Sequence, residues 1–179
     1  MGLSKWKVDG AHSEVGFSVK HMMVSKVKGT FDQFTAEIEA NPTDLTTASI
    51  QFTIDVASIN TRNNDRDNHL RSADFFDVEQ YPNLTFTSSK IEKTDEDEYK
   101  VTGDVSLHGV TKQETFNVTF EGLAKDPMSG AEKAGFSAEG KIKRSDYGLT
   151  WNAALETGGV LVGDDIKITI EIQAERIEG

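Results

Sequence analysis

From Ala48 to Val56 an apolar side chain stands at every second position, opposite Ser49, Gln51, Thr53 and Asp55. The same rhythm returns from Ile166 to Ala174, against Lys167, Thr169, Glu171 and Gln173. A period of two is the mark of a strand with one dry face and one wet face. Val15, Phe17, Val19 and His21 repeat it, as do Val27, Gly29 and Phe31, and then Phe34, Ala36 and Ile38. Leu84, Phe86 and Ser88 follow, then Tyr99 to Leu107, Phe116 to Phe120, and Phe136, Ala138, Gly140 and Ile142. About eight or nine strands joined by short turns predict an all-β, antiparallel architecture. Because most strands carry a single apolar face, closure into a barrel is favoured over an open sheet, and it also removes exposed edges. No repeat, linker or second core interrupts the pattern, so residues 1–179 read as one barrel domain.

The rhythm stops once for long, between Thr61 and Pro82. Asn64 can cap a short helix there, with Asp65 and Asp67 in the first turn where the helix dipole favours negative charge. Asp67 and Arg71 stand four residues apart, the spacing of an ion pair, while Leu70 turns inward. Phe75 and Phe76 then sit between Asp74 and Asp77, and Tyr81-Pro82 forces an extended backbone into the next strand. Aromatic rings on an isolated helical turn need an apolar surface, so residues 64–76 are expected to lie across or beside the mouth of the barrel. A second irregular patch, from Ser145 to Gly163, predicts another short helix near Trp151 to Leu155. The acidic run Glu92 to Glu98 reads as a solvated hairpin tip.

Charge and cysteine content narrow the function. The formal net charge is −11, a potential that repels phosphate backbones and anionic membranes and argues against nucleic acid binding and stable membrane insertion. With no cysteine, disulfides, zinc–thiolate sites and cysteine nucleophiles are excluded. The opening MGLSKWKVDG lacks the apolar core of a signal peptide, which gives the expectation of a cytoplasmic protein.

Several motifs carry a resemblance. Asp9-x-x-His12-Ser13, with Val15, Phe17, Val19, His21 and Gly29-x-Phe31, resembles the opening of the bacterial YceI-like family of polyisoprenoid-binding proteins. Arg66-Asp67-x-His69-Leu70-Arg71-Ser72-x-Asp74-Phe75-Phe76-Asp77 with Tyr81-Pro82 is similar to that family's central signature. The segments 103–112, 143–148 and 162–166 extend the likeness over the whole chain, in the family's order. The resemblance implies a lipocalin-like, eight-stranded antiparallel barrel with one or two short helices. It also implies a bound apolar lipid, a polyisoprenoid, isoprenoid quinone or fatty amide, carried without catalysis and without a further cofactor.

Ten phenylalanines against three tyrosines and two tryptophans leave most aromatic surface without a polar handle. Core filling and pocket lining would use the same residues; the resemblance favours a pocket. Phe17, Val19, Phe31, Phe34, Phe52, Ile54, Phe86, Val105, Leu107, Phe136 and Ala138 are its expected wall. Phe75, Phe76 and Trp151 come from the two irregular segments, and His21 reads first as a hydrogen-bonded core histidine and second as a polar contact at one end of the pocket. Arg66, Arg71 and Arg144 could hold an anionic head group, although Asp67, Asp74 and Asp146 beside them favour ion pairing instead.

No pair of the four histidines has metal-binding spacing, and Ser13 lacks the glycines of a nucleophile elbow. No catalytic residue or metal ligand is assigned. Two rivals remain: an enzyme acting on a lipid or small carbonyl compound through His21, His69 or Arg144, and a stress-related interaction protein with a filled core. A homodimer is compatible with either.

Overall fold

A computed structural model describes residues 3–152 and 161–178. In chain order the strands are β1 (Ser4–Val8), β2 (Glu14–His21), β3 (Ser25–Phe31), β4 (Phe34–Asn41), β5 (Asp44–Asp55) and β6 (Ile59–Asn60). After helix α1 (Asn64–Arg71) come β7 (Asn83–Asp95), β8 (Glu98–Leu107), β9 (Val110–Lys125), β10 (Glu132–Lys143) and β11 (Val162–Glu178). Hydrogen bonding follows the order β1-β4-β5-β7-β8-β9-β10-β11, and β11 pairs back with β1. The result is a closed, eight-stranded antiparallel barrel with, among the described residues, one short α-helix.

The ring closes through the long last strand. One edge of β11 holds β10 from Asp165 to Glu175. Its other edge pairs with β2 as far as Glu171 and then with β1 from Ala174 onward. From β2 the sheet continues to β3 and the two-residue β6, a branch beside the ring. Of the one or two helices expected, one lies among the described residues. Trp151 and Asn152 are irregular, and residues 153–155 of the helix expected near Trp151 to Leu155 lie outside the described residues.

The helix begins one residue earlier than expected. Asn63, not Asn64, is its cap and accepts from the Arg66 amide at 3.0 Å. Asp67 does not pair with Arg71. It is 4 % exposed and accepts from the Thr61 amide at 3.0 and 3.2 Å and from the Thr61 hydroxyl. Arg66 grips the Thr61 hydroxyl and carbonyl oxygens, each at 2.8 Å. Arg71 reaches back to the carbonyls of Ala57 and Ile59. The segment is thus tied to the chain just before it, while Leu70 and Phe76 pack on the cluster of Val15, Phe31, Ile54, Val56 and Ile59.

Three phenylalanines lie on glycines. A Cβ at Gly29 would stand 2.5 Å from the Phe17 ring, and one at Gly140 2.4 Å from Phe116. Phe116 is itself wedged edge-on against Phe86, with centroids 5.5 Å apart. Gly140→Ala is therefore expected to destabilise the fold by about 1–3 kcal/mol, the usual cost of overpacking, read as a lower urea midpoint with unchanged slope.

Candidate ligand cavity

Inside the barrel the inward faces do not meet. They enclose a cavity within which the centres of water-sized molecules have about 140 Å³ of room. Of its twenty-five lining residues only Tyr99 and Ser137 carry a polar side-chain atom, and the Ser137 hydroxyl turns outward to Glu121 at 2.8 Å. A space so poor in hydrogen-bonding groups stays dry and accepts apolar occupants. Along β5 it runs from Leu45 to Ile54, about 30 Å of strand and hence roughly 23 Å of barrel axis at the usual strand tilt. The shape suits a slender chain.

The wall is incompletely laddered on one side. Pairing between β5 and β7 stops at Gln51 and Thr87. The next amide, Ile50 N–H, donates to the Ser88 hydroxyl at 3.0 Å, and the register of β7 on β8 slips between Ser88 and Lys90. A bulge bends its strand and disrupts the local ladder. Ala48, Ile50 and Ile91, which flank this stretch, line the cavity and are only half-buried.

Eight of the expected wall residues line the cavity: Phe17, Phe31, Phe52, Ile54, Phe86, Val105, Phe136 and Ala138. The other seven stand elsewhere. Phe34 packs beside Phe52, and Leu107 belongs to a neighbouring cluster with Tyr147 and Leu149. Val19 pairs with Val27 and Ile166 nearer the strand end. His21 ends β2 half-buried, opposite Ser25, and its ring makes no hydrogen bond among the described residues, while its carbonyl accepts from the Val24 amide and the Ser25 hydroxyl. Phe76 stands edge-on to Phe31 and packs, as Leu84 does, against the two clusters around Val105 and Phe31. Phe75 and Trp151 form a separate aromatic group with His69, whose ring they meet at 5.0 and 4.9 Å.

Leu45 and Ile91 were missed because their parity is shifted. The β4–β5 register changes beyond Glu39, and the Ser89 bulge turns Ile91 inward although Leu84 and Phe86 have even numbers. A single extra residue flips every later side chain, and nothing in the sequence marks it.

The three candidate arginines are occupied by main-chain, hydroxyl or side-chain amide oxygens, and none makes an ion pair among the described residues. Arg144 is 5 % exposed and donates to the carbonyls of Gly163, Leu149, Trp151 and Val162 at 2.7–3.2 Å. Burial lowers its pKa, an effect that Asp164 only partly offsets, and guanidinium remains a cation. For Asp164 burial acts upward, but the Ser145 hydroxyl and amide, with Arg144, hold its carboxyl below the ordinary value of 3.8. A lowered folded-state pKa stabilises above the unfolded value and is lost as pH falls. Stability is thus expected to decline below about pH 4, and Asp164→Asn to flatten that part of a denaturation-versus-pH profile.

Burial and the Glu114 carboxylate push the Tyr147 hydroxyl far up, so it stays protonated and donates to Glu114 at 2.5 Å. His12 Nδ1 meets Asp9 at 2.8 Å, but the Ser13 hydroxyl exchanges hydrogen bonds with the Gln173 backbone instead of joining them. Among the described residues no three metal-ligating side chains converge.

The description of the YceI-like domain matches residues 6–174. A UPF0312 protein of Staphylococcus aureus is 45 % identical over 165 residues, covering 92 % of this chain and 94 % of its own. The crystal structure of a Campylobacter jejuni YceI protein is 41 % identical with a TM-score of 0.75, over 95 % of this chain and 96 % of that one. A domain from Saccharophagus degradans, described as a polyisoprenoid binding domain implicated in plant cell wall breakdown, shares the fold at 17 % identity and a TM-score of 0.66, over 96 % and 98 %.

Proposed function

The chain belongs to the YceI-like family, and from that premise we propose that it carries a long, slender apolar lipid, a polyisoprenoid, isoprenoid quinone or fatty amide, inside its barrel without transforming it. The cavity carries the reading: an interior tube walled by carbon has room for a chain and almost nothing to react with it. The polyisoprenoid-binding description of the Saccharophagus degradans domain supports the same cargo class. Each methylene moved from water into the wall's company contributes about 0.8 kcal/mol, and part of the sum is offset by ordering the chain. With Arg66, Arg71 and Arg144 committed to other oxygens, affinity rests on the chain and not on its head. Loading past Ala48, Ile50 and Ile91, where the ladder is interrupted, would open the least wall.

Native mass spectrometry of gently purified protein is expected to show a lipid-sized adduct. Protein that is empty and also refuses quinones and polyprenols in vitro would overturn the proposal. Position 138 supplies a sharper test. Ala138 lies between Val118 and Ile170 on the cavity wall. Ala138→Leu should fill space the ligand needs, abolishing uptake while leaving the melting temperature of the lipid-free protein nearly unchanged. In a filled core the same change would cost about 1–3 kcal/mol.

A further inference from the structure

The tip of the β2–β3 hairpin is not what its backbone asks for. Met22 and Met23 both have positive φ, 53° and 63°, and the Val24 amide closes the turn on the His21 carbonyl at 3.3 Å. Positive φ at both central positions strongly favours Asn-Gly. The β8–β9 hairpin meets the same demand with His108-Gly109, φ 55° and 77°. At the β2–β3 tip the chain instead presents Met-Met-Val to solvent, 47 %, 52 % and 87 % exposed.

A second observation adjoins it. Lys20 and Lys26 stand directly opposite each other two residues behind the tip, and Lys28 faces Ser18. Ser18 in turn pairs with Lys167, which lies opposite Lys141. These five exposed lysines occupy one outer face, and none makes an ion pair among the described residues. Like charges directly opposite weaken a sheet, so neither the methionine turn nor the two lysine pairs serve the fold. The same face carries Lys143 opposite Asp165, so it bears more basic than acidic groups in a chain of net charge −11.

We propose that this tip and its lysine face dock the protein reversibly on an anionic lipid surface. Met22, Met23 and Val24 enter the interfacial layer, and the lysines meet the head-group phosphates. An apolar insertion and a polybasic face together give the two weak signals that reversible membrane attachment needs. A second copy of the chain fits less well, because a symmetric contact would set lysine face against lysine face. Nucleic acid would use the lysines but leaves three exposed apolar side chains without a role. Docking goes beyond the carrier reading and does not depend on it, since an empty barrel presents the same tip.

Cosedimentation with mixed phosphatidylglycerol–phosphatidylcholine vesicles, with pure phosphatidylcholine vesicles as control, tests it. Wild type should bind only the mixed vesicles, and less as salt rises. Met22→Asn/Met23→Gly supplies the turn's preferred residues, so it should raise the melting temperature while weakening binding about tenfold or more. Lys20→Glu/Lys26→Glu should remove binding at unchanged fold. Ala138→Leu, with its cavity blocked, should dock as wild type does, which separates this outcome from that of the cargo experiment. The proposal is overturned by absence of binding to mixed vesicles at low salt, by undiminished binding of the turn variant, or by preference for duplex DNA over vesicles.

Discussion

Arg144→Ala is expected to cost about 3–5 kcal/mol, a large part of the roughly 5–15 kcal/mol that holds a domain of this size together. The guanidinium joins four carbonyl oxygens from two places in the chain: Leu149 and Trp151, and the adjacent Val162 and Gly163. Each buried acceptor left without a donor costs about 1–3 kcal/mol, and water entering the vacated space recovers part of that. Leu149, itself 2 % exposed, is the acceptor that solvent reaches least. Arg144→Lys should rescue little, because an ammonium cannot span acceptors that a planar fork meets along several directions. Urea denaturation of both variants reads the loss. The assignment as a brace also predicts that the folded fraction in the cold takes up lipid with wild-type affinity. A variant as stable as wild type but unable to bind lipid would instead make Arg144 a ligand group.

That brace explains why the site was only partly legible. Alternation along Ala48 to Val56 and Ile166 to Ala174 is enough to demand half-buried strands, and half-buried strands without an edge demand a barrel. The inward set follows from parity, which is why Phe17, Phe52, Phe86 and Phe136 fall on the cavity wall. Parity says nothing about depth. Val19, His21 and Leu107 share faces with wall residues yet stand near strand ends, beyond the cavity. Parity also fails at the bulge beside Ser89, so Ile91 was assigned to no face. The arginines show a different limit. A carboxylate neighbour is visible in a sequence, whereas a carbonyl oxygen belongs to every residue and marks none. Asp67, Asp74 and Asp146 were therefore the expected partners, and main-chain oxygens are the observed ones. The family motif around residues 66–77 belongs in part to this scaffolding: Arg66 and Asp67 fix Thr61, and Arg71 fixes Ala57 and Ile59.

With a lipid chain in the barrel, as proposed, Phe76 is expected to set how far the chain descends. Its ring stands edge-on to Phe31, with centroids 6.2 Å apart, and it packs on both the Val105–Tyr147 cluster and the Val15–Phe31 cluster. Phe31, Leu84 and Val105 line the cavity and also belong to or pack on those clusters, which makes the Phe76 ring the expected floor. Phe76→Ala should remove that floor and cost about 3 kcal/mol, the low end for truncating a buried phenylalanine because this one is half-buried. Two consequences then diverge. Stability falls in the empty protein, while the space released extends the cavity along its own axis. Offered a mixture of polyprenols of graded length, the variant should retain longer chains than wild type, since added methylenes gain burial at about 0.8 kcal/mol each only where wall surrounds them. Phe76→Leu, which keeps most of the volume, should shift the retained lengths less and preserve the fold if the alanine variant is too weak to handle. Native mass spectrometry reads the bound masses directly. An unchanged length distribution in both variants, alongside the expected loss of stability, would mean that the tube ends above Phe31 and that residues 64–76 brace the barrel without setting its depth.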